Sequence, residues 1–281
     1  MTFASSNLGY LMAINRIASG MKRAESPSVS TSVDAIVQAF NTWAYKREQP
    51  SDISLLRSFV SRAVQCRQPV PFVLYWGKGP RSQIAEPDET CLDFLVSMEA
   101  RIKSVYADGA RIHLLLTDTH ARLNEHSAED ISSYFTEITT VARARGFEVH
   151  RLSDVVAEAS PRVDGAVKEI ASAELTESLR RSAEKWYFGA DSASQAAATY
   201  FATNMRERAA VETIHPHSIF ITFNNKAMRP LFPEKLPIFY MYSLRKGVAV
   251  KPWFMSDERD SRRPFAPPHR AAAIQVVAAA E

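Results

Sequence analysis

The sequence predicts an α/β fold, a mainly parallel sheet flanked by helices, and three observations carry that prediction. A short aromatic and β-branched run, Phe72-Val73-Leu74-Tyr75-Trp76, ends in a loop with two glycines and a proline. A second apolar run, Ile112 to Leu116, has the length of one buried strand. It then breaks into Asp118, His120, Arg122 and Asn124 at every second position. Between the two runs lies a stretch of helical period, and strand, helix, strand implies a parallel pair. A buried strand with a polar exit marks the carboxyl edge of such a sheet, where ligands bind.

In chain order, residues 1–30 read as a flexible arm. Their apolar part has no charged region ahead of it, and no acid precedes Glu25, so they make a poor secretory signal. Residues 31–69 read as packing helices. Ser32 is expected to cap a helix from Val33 to about Lys46, with Ile36, Val37, Phe40, Trp43 and Ala44 inward. Pro50-Ser51-Asp52 stops it and caps Ile53 to Cys66.

Residues 70–155 form the expected core. After Trp76, Gly77-Lys78-Gly79-Pro80-Arg81 allows close backbone approach to a ligand, and Lys78 and Arg81 supply two cations, an anion site or a solvated basic turn. The GxxxxGK[ST] spacing is absent, which argues against a nucleoside triphosphate. A helix from Glu89 to about Tyr106 and the Asp108-Gly109 turn lead into the central strand. A helix from Ala128 to Arg145, capped by Gly146, precedes a third strand at Phe147–His150. This βαβαβ succession is Rossmann-like.

Residues 156–212 are helix-prone and alanine-rich, a helical subdomain or lid; Trp186-Tyr187-Phe188 reads there as a packing knot. Residues 213–256 return to strand character and are expected to complete the site: Ser218–Phe223, Leu236–Tyr242, and a third strand running to Lys251-Pro252-Trp253-Phe254. Residues 257–281 have the composition of a poorly ordered tail.

Apolar residues make up 46% of the chain and charged residues 23%, with a formal charge of +3 and pI near 8.8. That suits a soluble protein with an anionic small substrate and gives no case for nucleic acid. Only Cys66 and Cys91 are present, which excludes a disulfide framework and a cysteine-rich metal site and points to a reducing, cytoplasmic setting. No apolar stretch reaches the roughly 18–20 residues that span a bilayer, so no membrane partner is expected.

Asp118-Thr119-His120 and His215-Pro216-His217 are X-x-X pairs able to ligate a metal, while His113 sits inside a buried strand. A metal-dependent hydrolase on Asp118, His120, His215 and His217 is therefore one reading. A histidine beside an aspartate more often serves as a hydrogen-bonded core pair or a general acid/base. No GxSxG elbow is present, and neither cysteine sits in a local catalytic signature, which argues against covalent hydrolysis.

Five blocks occur in succession: PFVLYWGKGP, PDETCLDFLVSMEARI, YADGARIHLLLTDTHARLNEHS, IHPHSIFITF and KPWF. That succession, over residues 70–255, resembles the pyoverdine/dityrosine biosynthesis family, the isocyanide (isonitrile) synthases. Thr117-Asp118-Thr119 stands where that family tends to have Ser-Asp-Gly, and Phe254 stands where its Pro-Trp-His segment ends in histidine. The resemblance implies an enzyme acting on the amino group of an amino acid, with ribulose 5-phosphate as carbon donor. It implies an iron/2-oxoglutarate oxygenase as a downstream partner acting on the product. A non-catalytic accessory protein of the same fold is the other reading that Phe254 invites.

On this reading Asp118, His120 and His215 are the expected catalytic residues, Asp118 orienting an ammonium group and a histidine moving protons. Lys78, Arg81, Arg122 and Lys251 are expected to hold a phosphate or carboxylate. Trp76, Tyr240 and Trp253 are expected to wall an amino-acid side chain. No cofactor and no resident metal are expected.

Overall fold

The computed structural model describes residues 28–77, 83–160, 171–224 and 226–241. Lys78, Arg81, Lys251, Trp253 and Phe254, the expected third C-terminal strand and both terminal tails lie outside the described residues.

Two helices open the described chain. The first, α1 (Val29–Phe40), begins earlier than expected because Ser28, not Ser32, is its cap: the Ser28 hydroxyl accepts from Thr31 N. It also stops six residues before Lys46, so Trp43 is exposed instead of inward. Asp52 caps α2 (Ile53–Cys66) through Leu55 N, as the sequence predicts. Then come β1 (Val70–Trp76), α3 (Glu86–Lys103), β2 (Ala110–Leu116), a short α4 (Asp118–Leu123), α5 (Ala128–Ala144) and β3 (Glu148–Arg151). The remaining elements are α6 (Leu152–Ala159), α7 (Ala173–Trp186), α8 (Ala193–Ile214), β4 (Ile219–Thr222), a 3-10 turn (Lys226–Leu231) and β5 (Ile238–Tyr240).

The five strands form one sheet in the order β3-β2-β1-β4-β5, and every pairing between named strands is parallel. β1 and β2 pair along their whole length, from Val70 opposite Ala110 to Trp76 opposite Leu116. Parallel strands buried on both faces read as unbroken apolar runs, which is why these two were visible in the sequence. Even-numbered residues of β1 and β2, Phe72, Leu74, Trp76, Ile112, Leu114 and Leu116, join a core beneath α1, α2, α3 and α5. Odd-numbered ones, Val73, Tyr75 and Leu115, face α6 and the C-terminal half of α8 through Leu152, Val155, Ala210 and Val211.

The N-terminal half of α8 instead packs on α7, with Leu175, Leu179, Ala183, Ala196, Ala197 and Tyr200 forming a third cluster. One helix therefore spans both the sheet layer and the helical region. The open edge at β5 is covered by residues 46–51. Arg47 N and Ser51 N donate to the carbonyls of Tyr240 and Ile238 at 2.8 and 3.0 Å. Covering an edge strand in this way removes a pairing template. No helix among the described residues is long and apolar enough to cross a membrane.

Candidate active site

The strand order places β2 and β3 on one side of β1, and β4 and β5 on the other. In open α/β sheets the ligand crevice lies outside the carboxyl ends of the two strands where the winding reverses, here β1 and β4. β1 ends at Gly77, whose φ of 84° is a left-handed value. A Cβ there would stand 2.5 Å from Cε1 of Phe135, so both the backbone and the space require glycine. Thr117 clamps the neighbouring strand end: its N and Oγ1 both donate to the Trp76 carbonyl, at 2.8 and 2.9 Å.

The Trp76 side chain points away from solvent. Its indole N–H donates to the Tyr134 hydroxyl at 3.0 Å, and that hydroxyl donates to Asp88 Oδ1 at 2.8 Å. Asp88 Oδ2 in turn accepts Ala85 N and fixes the start of α3. All three side chains in this chain of donors are fully buried. Tyr240 is also buried, among the residues facing α6 and α8. The two expected walls thus lie behind the strand ends as packed core.

The polar exit of β2 forms α4, a helix of six residues, so the alternation read from the sequence does not continue as extended chain. Its side chains diverge accordingly. Asp118 is fully buried and accepts from Ser153 N at 3.0 Å, Ser153 Oγ at 2.7 Å and Arg122 Nη2 at 2.8 Å. Three donors, one of them a guanidinium, offset the cost of burying the carboxylate. The Arg122 side chain is 66% exposed, so Asp118 anchors a cation that reaches into solvent at this edge. Arg151, at the end of β3, lies over the Phe135 ring at 4.7 Å, and burial lowers its pKa while Asp118 opposes that shift.

The opposite side of α4 meets α8. His120 Nε2 lies 3.0 Å from Glu207 Oε2, and the Thr119 hydroxyl donates to Glu207 Oε1. Glu207 is 1% exposed and His120 is buried. One turn away, the Tyr200 hydroxyl donates to Asn124 Oδ1, while Asn204 Nδ2 donates to the Tyr200 carbonyl at 2.7 Å. Burial raises the Tyr200 pKa, so the phenol remains a neutral donor. Tyr75, on β1, is also held protonated, by burial and by the nearby carboxylates of Glu207 and Glu212. An imidazole held by an oriented carboxylate in a water-poor setting can accept or deliver a proton.

His215 is elsewhere. It caps the C-terminus of α8, eight residues past Glu207, which is about 12 Å along a helix axis. Its ring lies 4.8 Å from that of His113 in β2 and 6.5 Å from that of His150 in β3. Glu148 completes the group, its Oε2 3.2 Å from His113 Nδ1 and 4.0 Å from His150 Nε2. Burial, reinforced by the neighbouring imidazoles, lowers the pKa values of His113 and His215 to about 4. His217 is exposed and meets the edge of Phe59. The expectation that Asp118, His120 and His215 share one catalytic corner is therefore corrected. So is the metal set of Asp118, His120, His215 and His217, because α8 carries His215 to the far end of the layer.

No family model matches the chain, and no curated protein does. Among solved structures, PvcA from Pseudomonas aeruginosa superposes with a TM-score of 0.60 at 18% identity, covering 79% of this chain and 87% of PvcA. The chain has the fold of PvcA. PvcA is a pyoverdine/isonitrile synthase-family protein. At this identity the likeness to PvcA speaks for the backbone and leaves the individual site residues to be argued from their own geometry.

Within this PvcA-like fold, Glu207, Ser153, Thr119 and Tyr200 are site residues that the sequence reading missed. Glu207 sits in Arg206-Glu207-Arg208, which looks like a solvated helix face. A signal was nonetheless present: Tyr200, Asn204, Glu207 and Val211 follow core spacing along α8, and all four are buried. Polar residues at core positions mark a helix that packs against other polar groups.

Proposed function

We propose that the protein is a biosynthetic enzyme of the isonitrile synthase type, acting on the amino group of an amino acid and taking its carbon from a phosphorylated sugar like ribulose 5-phosphate. The observation that carries this is a conjunction. The five blocks that resemble the family run in order along a chain that has the fold of PvcA. The geometry of the carboxyl edge supports it.

In this reading Arg122, steadied by Asp118, binds the carboxylate or phosphate of a substrate, since an exposed guanidinium offers paired donors to such groups. Asp118, fully buried, acts through Arg122 as a positioning residue. His120 accepts the proton released as the amine attacks a carbonyl and returns it as water leaves, with Glu207 stabilising the imidazolium between the two steps. Lys78, Arg81 and Lys251 contribute further cations, and Trp253 contributes an apolar wall. The product is passed to an iron/2-oxoglutarate oxygenase.

The test is incubation of purified protein with single amino acids and ribulose 5-phosphate, followed by mass spectrometry. The expected result is conversion of one amino acid to its isonitrile, lost in His120→Ala. Consumption of neither substrate across the full amino-acid set would overturn the proposal in favour of an accessory protein.

A further inference from the structure

The four groups around His113 are arranged by sheet register and lie outside the proposed chemistry. In the β2–β3 pairing His113 stands opposite Glu148, and Leu115 stands opposite His150. Glu148 and His150 are two residues apart on one strand and share a face, because side chains alternate. Val149 between them is buried on the other face. The register thus brings one carboxylate and two imidazoles together on the face covered by α6 and α8, and the end of α8 adds His215.

We propose that His113, Glu148 and His150 form a zinc site, with His215 as the nearest further donor. One ligand atom from each of the first three lies within 4.8 Å of the others. Tetrahedral zinc with bonds of about 2.0–2.1 Å sets its ligand atoms about 3.3 Å apart. The His113–Glu148 contact of 3.2 Å already matches that separation, and the 4.0 Å from Glu148 to His150 closes by a small rotation of the half-exposed His150 ring. His215 Nε2 is buried without a hydrogen-bond partner, and His113 Nδ1, although 3.2 Å from Glu148 Oε2, makes no aligned hydrogen bond. A buried imidazole nitrogen left in this way, on a ring 4.8 Å from that of His113, calls for a ligand that accepts a lone pair.

Glu148 is steered toward this use. Arg111 Nε lies 3.3 Å from Oε1, which leaves Oε2 turned to the imidazoles. A carboxylate held from behind while it faces a metal position is the arrangement that orients metal ligands. Imidazole-dominated donor sets favour zinc and its first-row neighbours over magnesium or calcium, which take oxygen ligands. With 47% of the His150 side chain exposed, an ion has a route in from solvent.

The experiment is calorimetric titration of untagged, chelator-treated full-length protein with zinc chloride. It is run on the wild type, Glu148→Gln, His150→Ala and the off-cluster control His217→Ala. The expected result is one zinc per chain in the wild type and in His217→Ala, with affinity at least about 100-fold lower in the two ligand variants. The reasoning is that losing an outer-shell partner alone costs about 10–100-fold. Cobalt(II) added in place of zinc should give the intense visible bands of a tetrahedral site. Zinc should also raise the melting temperature of the wild type, because it binds only the folded chain. His150 lies half in solvent, so His150→Ala is expected to fold and keeps the test informative if Glu148→Gln does not. Absence of zinc uptake by the wild type at millimolar zinc, or equal affinity in all four proteins, overturns the site.

Discussion

The two polar clusters of this protein sit at different ends of one layer and differ in how their groups are satisfied. At the carboxyl edge, Asp118, His120, Glu207, Asn124 and Tyr200 are each engaged by a neighbour from another element. In the other cluster, the His113 and His215 rings lie 4.8 Å apart, His113 Nδ1 makes no aligned hydrogen bond and His215 Nε2 has no hydrogen-bond partner. The first arrangement holds groups in fixed positions, as proton transfer demands. The second gathers imidazoles and one carboxylate within a few ångströms, as the proposed zinc site requires. Histidines and carboxylates thus serve different chemistry in the two clusters, and their hydrogen-bond partners make the distinction.

That contrast predicts a graded response to substitution. The largest effect is expected from Glu207→Ala, which removes the carboxylate that holds the buried His120 and the Thr119 hydroxyl. Removing the acceptor of two largely buried hydrogen bonds costs about 1–3 kcal/mol for each, read as the change in unfolding free energy in urea. Glu207→Gln keeps two hydrogen-bonding atoms and should lose far less stability. Its turnover should nevertheless fall about 100-fold or more, the usual share of a general base. A Glu207→Ala protein as stable as the wild type would remove the contrast altogether.

Next comes Gly77→Ala, expected to cost about 2 kcal/mol in the same assay, through a left-handed backbone and displacement of Phe135. Asp118→Asn should cost about 1–2 kcal/mol by weakening the bonds from Ser153 and Arg122. It should also raise KM more than it lowers kcat if Arg122 binds the substrate anion.

A separate effect is expected from pH. Burial holds His126 at a pKa of about 4, against an ordinary 6.5, although Asp130 pulls the other way. The unfolded imidazole therefore takes up a proton below pH 6.5 that the folded one refuses until about 4. Stability contributed by the neutral His126 is complete above pH 6.5 and is lost as the pH falls through that window. Urea midpoints measured from pH 7 to 4.5 should fall less steeply for His126→Gln than for the wild type. The smallest change is expected from His150→Ala in zinc-free buffer, within about 0.5 kcal/mol, because its side chain is half in solvent.

Much of the frame was legible in the sequence, for a physical reason. β1 and the C-terminal half of β2 are buried on both faces and stand out as apolar runs, and α2 and α5 carry helical stripes with their own caps. The site was legible only where it lies close in sequence. Asp118 and Arg122 were expected together, and they are joined one turn apart on α4. His120 was expected to work with Asp118, yet its partner is Glu207, 87 residues away on α8. Local pattern has no access to such a pairing. The histidine cluster was hidden for a related reason: no short motif encodes the register that sets His113 opposite Glu148. Residue type misled as well, since Trp76 and Tyr240 looked like ligand walls and instead fill the core.

Turnover by this protein is expected to depend on the His120–Glu207 pair. The deciding measurement is product formation from an amino acid and ribulose 5-phosphate, followed by mass spectrometry in the wild type, His120→Ala and Glu207→Gln, each first shown to be folded. An isonitrile product in the wild type that drops about 100-fold or more in both variants is the predicted result. Product formed at the wild-type rate by either folded variant would contradict it.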